Sequence, residues 1–127
     1  LNPPTLAAPA GFSHAVVAAP GRTIYLGGQA AHDASGNLVG DSIAEQFARA
    51  AANVVAALDA AGARPEHLVS MQIYVTDAEA YRGALADLSV AYREHFGRHY
   101  PAIALFEVTG LFDPAAMVEL VCIAVVP

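Results

Sequence analysis

The sequence predicts an α+β fold, a mixed and largely antiparallel sheet with two helices laid on one face. Three observations lead there. Two long stretches repeat their apolar residues at three- and four-residue steps. About five shorter segments favour strands, and the order of the two kinds reads ββαβαββ. A chain of 127 residues is near the commonest domain size, so residues 1–127 are expected to form one domain around one core.

Each element has its own local signature. Leu1 to Gly11 is rich in Pro and Ala without periodicity and reads as an extended arm. His14 to Ala19 and Thr23 to Gly27 favour strands, joined by Pro20-Gly21 into a hairpin. Asp33 to Gly36 is a second turn, ahead of a short extension from Asn37 to Val39. Ser42 and Glu45 fit a capping box, and Ile43, Phe47, Ala50, Val54 and Leu58 form the apolar stripe of the helix it opens, with Gly62 beyond its end. Leu68 to Val75 alternates, placing Met71, Ile73 and Val75 on one face and Ser70, Gln72 and Tyr74 on the other. Thr76 and Glu79 form a second candidate capping box for a helix striped by Tyr81, Leu85, Leu88, Tyr92 and Phe96, running to Gly97. Ala102 to Val108 and Met117 to Val126 complete the set as apolar strands separated by the turn material from Gly110 to Pro114.

Composition narrows the function. The 56 % hydrophobic content is high for so short a chain, and the sheet face that the helices leave bare must be covered, so self-association is expected. Net charge of −6 opposes a phosphate backbone and argues against nucleic acid as a partner. No apolar run is long enough to span a membrane and no leader is evident, which reads as a cytoplasmic protein without membrane association. All six basic residues are arginines, so neither Schiff-base chemistry nor a phosphate-loop lysine is available, and Gly27-Gly28 fits no nucleotide fingerprint. No cofactor is expected. Cys122 stands alone, without a disulfide partner or a multi-cysteine zinc site, and reads as a small buried hydrophobe. His95 and His99 are four apart, but Gly97 interrupts the helix that would align them, so no metal site is expected.

Several segments, read together and in order, resemble the reactive-intermediate deaminase (RidA/YjgF) family: Gly11-Phe12-Ser13-His14-Ala15, Tyr25 to Gln29, Gln46 with Asn53, Leu58 to Gly62, Tyr74 to Asp77, Pro101-Ala102, and Val118 to Ala124. The resemblance covers nearly the whole chain and rests on many collinear matches, none sufficient singly. It implies a chorismate-mutase-like homotrimer whose sheets form a central barrel, with clefts between subunits in which small imines or enamines are hydrolysed. It also implies roles for particular residues. Glu119 takes the place of the acidic residue that positions or activates water, and Gly28 that of the cleft glycine. Gly27 stands where serine is common, Phe12 at the usual tyrosine, Ser89 at the usual asparagine and Leu105 at a frequent cysteine. Pro101-Ala102 is followed by Ile103 where the family carries the arginine that grips the substrate carboxylate. The resemblance therefore implies a substrate other than a standard 2-imino acid.

The residues themselves leave alternatives open. Imine hydrolysis needs a held water, a proton shuttle and a donor for the departing nitrogen. Glu119, in an apolar run, is expected to be partly desolvated and suits the shuttle, or else it pairs with an arginine at a subunit boundary. His14, which the resemblance puts in the segment lining the cleft, either donates to a substrate or is structural. Arg98 precedes the Pro101 turn and either replaces the missing guanidinium or is simply solvated, while Tyr25, Tyr74 and Tyr100 offer hydroxyls but usually such residues pack. Two functions compete: an imine or enamine hydrolase, and a trimer that keeps the clefts to bind a small ligand without turnover. A ribonuclease is disfavoured by the acidity.

Overall fold

In a computed structural model, which describes all residues 1–127, the elements follow the order β1 (Arg22–Tyr25), α1 (Ile43–Ala60), β2 (Leu68–Val75), α2 (Ala78–Gly83), α3 (Leu85–Phe96), β3 (Ala102–Glu107) and β4 (Val118–Val126). The sheet order is β1-β4-β2-β3, with β4 antiparallel to both neighbours and β2 parallel to β3. The expected mixed α+β sheet is therefore present. No helix is long and apolar enough to cross a membrane.

Helix α1 starts where its cap predicts. The Ser42 hydroxyl accepts the Glu45 N–H at 3.2 Å, and beyond the helix Gly62 takes a φ of +75°, a turn conformation that glycine adopts without strain. Phe47, Val54 and Leu58 are almost fully buried against the sheet, each contributing roughly 1.5–3 kcal/mol of hydrophobic stabilisation. Gln46 is the one buried polar side chain of this stripe. Its Nε2 donates to Gly40 O and Ala115 O at 3.2 and 3.3 Å, and its Oε1 accepts the Met117 N–H at 2.8 Å. One amide thus satisfies two loops that would otherwise bury bare backbone.

Three details differ from expectation. His14 to Ala19 is not a strand: Ser13 makes a single parallel bridge to Ala102, and residues 15–20 are exposed. Ala15-Val16-Val17-Ala18-Ala19 does not alternate, so no register buries one face, and the nearby donors are taken locally. The Ala15 N–H donates to Leu1 O at 3.1 Å and the His14 N–H to Asn2 Oδ1 at 2.8 Å. Next, the second helix begins at Asp77 rather than Thr76, because the Asp77 carboxylate accepts the Ala80 N–H at 3.0 Å while Glu107 Oε1 takes the Ala78 N–H at 2.9 Å. Finally, that helix is broken at Ala84 into α2 and α3, just after Gly83.

Helices α1 and α3 pack on each other and on one face of the sheet. There Met71, Val75, Val118, Leu120 and Cys122 are closed off from water. Cys122 is held as a thiol, its pKa pushed up to about 12 by burial, in keeping with an unreactive core residue. The other face carries Tyr25, Gln72, Tyr74, Phe106, Glu119, Val121 and Ile123, all wholly or partly open to solvent.

Candidate functional site

The most chemically pointed feature lies where β1 runs out. The Leu26 N–H donates to Cys122 O at 3.1 Å and the Gln29 N–H to Leu120 O at 2.8 Å. Gly27 and Gly28 together therefore stand opposite Val121 alone, a β-bulge that leaves both of their N–H groups without an acceptor in the chain. Glu119 faces the bulge. A Cβ on Gly28 would lie 2.7 Å from Glu119 Oε2 and 2.9 Å from its carboxyl carbon, so only glycine lets the carboxylate reach this position. Neither ion pair of the chain involves Glu119, which is half-buried. The structure thus brings together Gly27, Gly28 and Glu119, a proton acceptor beside two backbone donors.

A second group forms at the opposite edge of the sheet. The Ser13 N–H donates to Pro101 O at 3.0 Å and Ser13 Oγ to Tyr100 O at 2.7 Å, pinning the arm across the start of β3. Phe12 and His14, their rings edge-to-face at 5.0 Å, then border a groove of about 320 Å³ with Ile103, Ser70 and Gln72. His14 Nε2 lies 2.6 Å from Ala7 O. A carbonyl only accepts, so Nε2 carries the hydrogen and Nδ1 is the nitrogen left free. Ile103 sits on the helix side of the sheet, packed against the core beside Met71.

These two groups do not meet within one chain. Glu119 in β4 and Ile103 in β3 are separated by β2, about 10 Å at two strand spacings, and point to opposite faces. Leu105 lies two residues along from Ile103 at 38 % exposure and borders neither group. Ser89 belongs to a third place, an aromatic hollow of about 370 Å³ on the helix side with Tyr81, Tyr92 and Tyr100. Arg98 borders a depression beside Val17 and Tyr100 and does not line the Ile103 groove. His99 is structural, with Nε2 at 2.7 Å from Leu68 O. Of the tyrosines, Tyr25 is exposed, Tyr74 stacks on Phe106 at 5.5 Å, and Tyr100 stacks on Tyr92 at 5.4 Å.

Ser70 and Gln72 were missed as groove residues from sequence, although the alternation of β2 already turned them away from the core. Arg49 was missed too, and Asn53 entered only as part of the resemblance, without a role. Asn53 Nδ2 donates to Ala30 O and His32 O at 3.0 and 2.8 Å, and its Oδ1 accepts from Arg49 Nε at 3.2 Å, holding the loop after the bulge against α1.

Comparison with known proteins bears on the chain's family and fold. The sequence model of the family described as Endoribonuclease L-PSP matches residues 4–126. A Bos taurus protein named 2-iminobutanoate/2-iminopropanoate deaminase is 33 % identical over 105 residues, which cover 82 % of this chain and 73 % of that protein. A Yersinia pestis protein of the conserved Rid family, YyfB, described as of unknown function, has a structure that superposes with a TM-score of 0.89 at 31 % identity, covering 99 % of this chain and 96 % of its own. A Mycobacterium tuberculosis member of the YjgF/YER057c/UK114 family gives 0.69 at 31 % identity, covering 91 % and 87 %.

Proposed function

Because this chain belongs to the RidA/YjgF family, we propose that it hydrolyses a small imine or enamine without a cofactor, at clefts completed by a second subunit. The observation that carries the reading is the Gly27-Gly28 bulge with the Glu119 carboxylate against it. An enamine first exchanges a proton with solvent, gaining it at carbon and losing it from nitrogen, to become the imine; Glu119 then accepts a proton from water as the oxygen attacks the C=N carbon. It returns that proton to the nitrogen, and the resulting carbinolamine expels ammonia to leave a carbonyl. The bulge N–H groups are free to hold the electron-rich oxygen or nitrogen as charge develops there.

The division of the site between two sheet edges supports the assembly. A homotrimer that sets the β1 edge of one copy beside the β3 edge of the next joins Glu119 to the Phe12, His14 and Ile103 groove. It also covers the bare sheet face. With isoleucine at 103 and no cation lining that groove, a carboxylate there is desolvated without return, so the substrate is neutral or apolar rather than a standard 2-imino acid. The resemblance at Ser89 and Leu105 extends the same cleft, although neither side chain borders it within one chain.

Glu119→Gln tests this directly. The amide keeps the shape and loses the proton, so ammonia release from a panel of freshly generated imines is expected to fall at least about 100-fold with the melting temperature unchanged. Unaltered turnover would leave the hydrolase without its base. The absence of a cation in the groove also favours one other reading, a trimer that holds a small apolar ligand without turnover. Saturable binding of such a ligand with no ammonia from any imine selects that reading. A ribonuclease is disfavoured because a net charge of −6 repels RNA.

A further inference from the structure

We propose that the hollow between α1 and the loop after β1 is a second ligand site, one that takes a small amino acid as its zwitterion. The inference does not depend on hydrolysis at Glu119. Its cation is Arg49, alone among the six arginines in not being exposed. Asn53, clamped by two backbone carbonyls, holds Arg49 Nε and so fixes the plane of the guanidinium. The two Nη groups have no partner, and the ion pairs of the chain lie elsewhere, at His32–Asp113 and Arg64–Glu66.

This half-buried guanidinium has given up part of its hydration for one hydrogen bond, to Asn53, and has no counterion, while its Nη groups stay open to the cavity. Its planar fork fits a carboxylate through two parallel hydrogen bonds. The cavity it borders has a volume of about 380 Å³ and is also lined by Gly28, Gln29, His32 and Asp33. His32 is turned away to Asp113, at 3.0 Å. Asp33 is only half engaged: its Oδ1 accepts the Ser35 and Asn37 N–H groups, each at 2.9 Å, while Oδ2 has no partner. One free cation and one free carboxylate oxygen thus border the same small cavity without pairing. A simple anion meets Asp33, and a simple cation meets Arg49. A molecule bearing both a carboxylate and an ammonium satisfies the two.

The test is an NMR titration of the full-length protein with glycine, β-alanine and 4-aminobutyrate, whose charges lie progressively further apart, against propionate and ethylamine. At least one zwitterion is expected to shift the Gly28, Gln29 and Asn53 signals saturably, with propionate and ethylamine at least about tenfold weaker. Arg49→Gln and Asp33→Asn should each weaken the zwitterion by about tenfold or more. Asp33→Asn keeps an oxygen for the two turn N–H groups, so the loop survives while the charge is gone, and retained signal dispersion verifies the fold. No saturable shift with any zwitterion overturns the proposal, as does propionate binding equally well or binding that survives Arg49→Gln. Dissociation of the assembly in Arg49→Gln also overturns it, since the guanidinium then serves a subunit contact.

Discussion

The two faces of β4 are built from one strand and do opposite things. Val118, Leu120, Cys122 and Ala124 point toward the helices and are at most 1 % exposed, whereas Glu119, Val121 and Ile123 between them stay partly open. The closed face is chemically mute, its one thiol held protonated by burial. The open face is nearly as apolar yet carries the carboxylate beside the bulge. Core formation accounts for every other residue of the strand. The remainder are available for assembly and chemistry, and a one-residue change of register would exchange the two sets.

The largest effect expected from breaking this contrast is on assembly. Ile123→Glu places a charge on the face proposed to be covered, and light scattering on a size-exclusion peak should find a folded monomer in place of a trimer. A trimer that persists would mean that this face is not the interface. Leu120→Ala, on the closed face of the same strand, should cost about 2–5 kcal/mol in denaturant unfolding by leaving a cavity under α1. Equal stability loss from the two variants would erase the distinction between the faces.

Ile103→Arg sharpens the comparison on the substrate side. Wild type should process 2-iminobutyrate poorly, while the arginine gains charge-assisted bonds to its carboxylate, about 2–4 kcal/mol after partial compensation or roughly 30- to 1000-fold in affinity. Ile103 packs against the core, so the arginine must lay its stem over that surface and send its head into the groove. Ammonia release and semicarbazone trapping with the imine generated in place read the outcome. A wild type that already matches an arginine-bearing relative shows that another residue grips the carboxylate, and the proposed preference for neutral substrates fails.

Much of the scaffold was legible because local signals agreed with packing. The limits of β2 follow from its alternation, and the start of α1 from Ser42 and Glu45. The segment from His14 to Ala19 was not, since its valines report β propensity while it lacks a partner edge to pair with. The break at Ala84 was hidden because the apolar stripe continues across it. Within the site, the Gly28–Glu119 contact joins residues far apart in sequence, and the resemblance placed them together before any geometry could. The bulge that exposes the two glycine N–H groups was invisible, because it depends on a register against β4 that no local pattern encodes.

The smallest effect lies outside both faces, at the loop from Gly110 to Pro114 that leads into β4. Asp113 Oδ2 is 3.0 Å from His32 Nε2, and its Oδ1 accepts the Ala115 N–H at 3.0 Å. The His32 hydrogen bond first, and then the Ala115 N–H, hold its carboxyl below the ordinary aspartate value. A carboxylate depressed in the folded state stabilises the fold at pH above its unfolded value, and that contribution is lost as pH falls through the lower folded value. The contribution is therefore whole at neutral pH and disappears only on acidification below the ordinary aspartate range of about 3.9. His32→Gln removes the imidazole but leaves the Ala115 N–H, so the Asp113 titration midpoint, read from its side-chain carbon by NMR, should rise only part of the way to the ordinary value. The melting temperature at neutral pH should barely move, because the side chains are 37 % and 30 % exposed and such pairs stabilise little in water. A midpoint unmoved by His32→Gln assigns the depression to the Ala115 N–H alone. A large loss of stability instead would show that this partly exposed pair, rather than the closed face of the sheet, is what fixes the entry to β4.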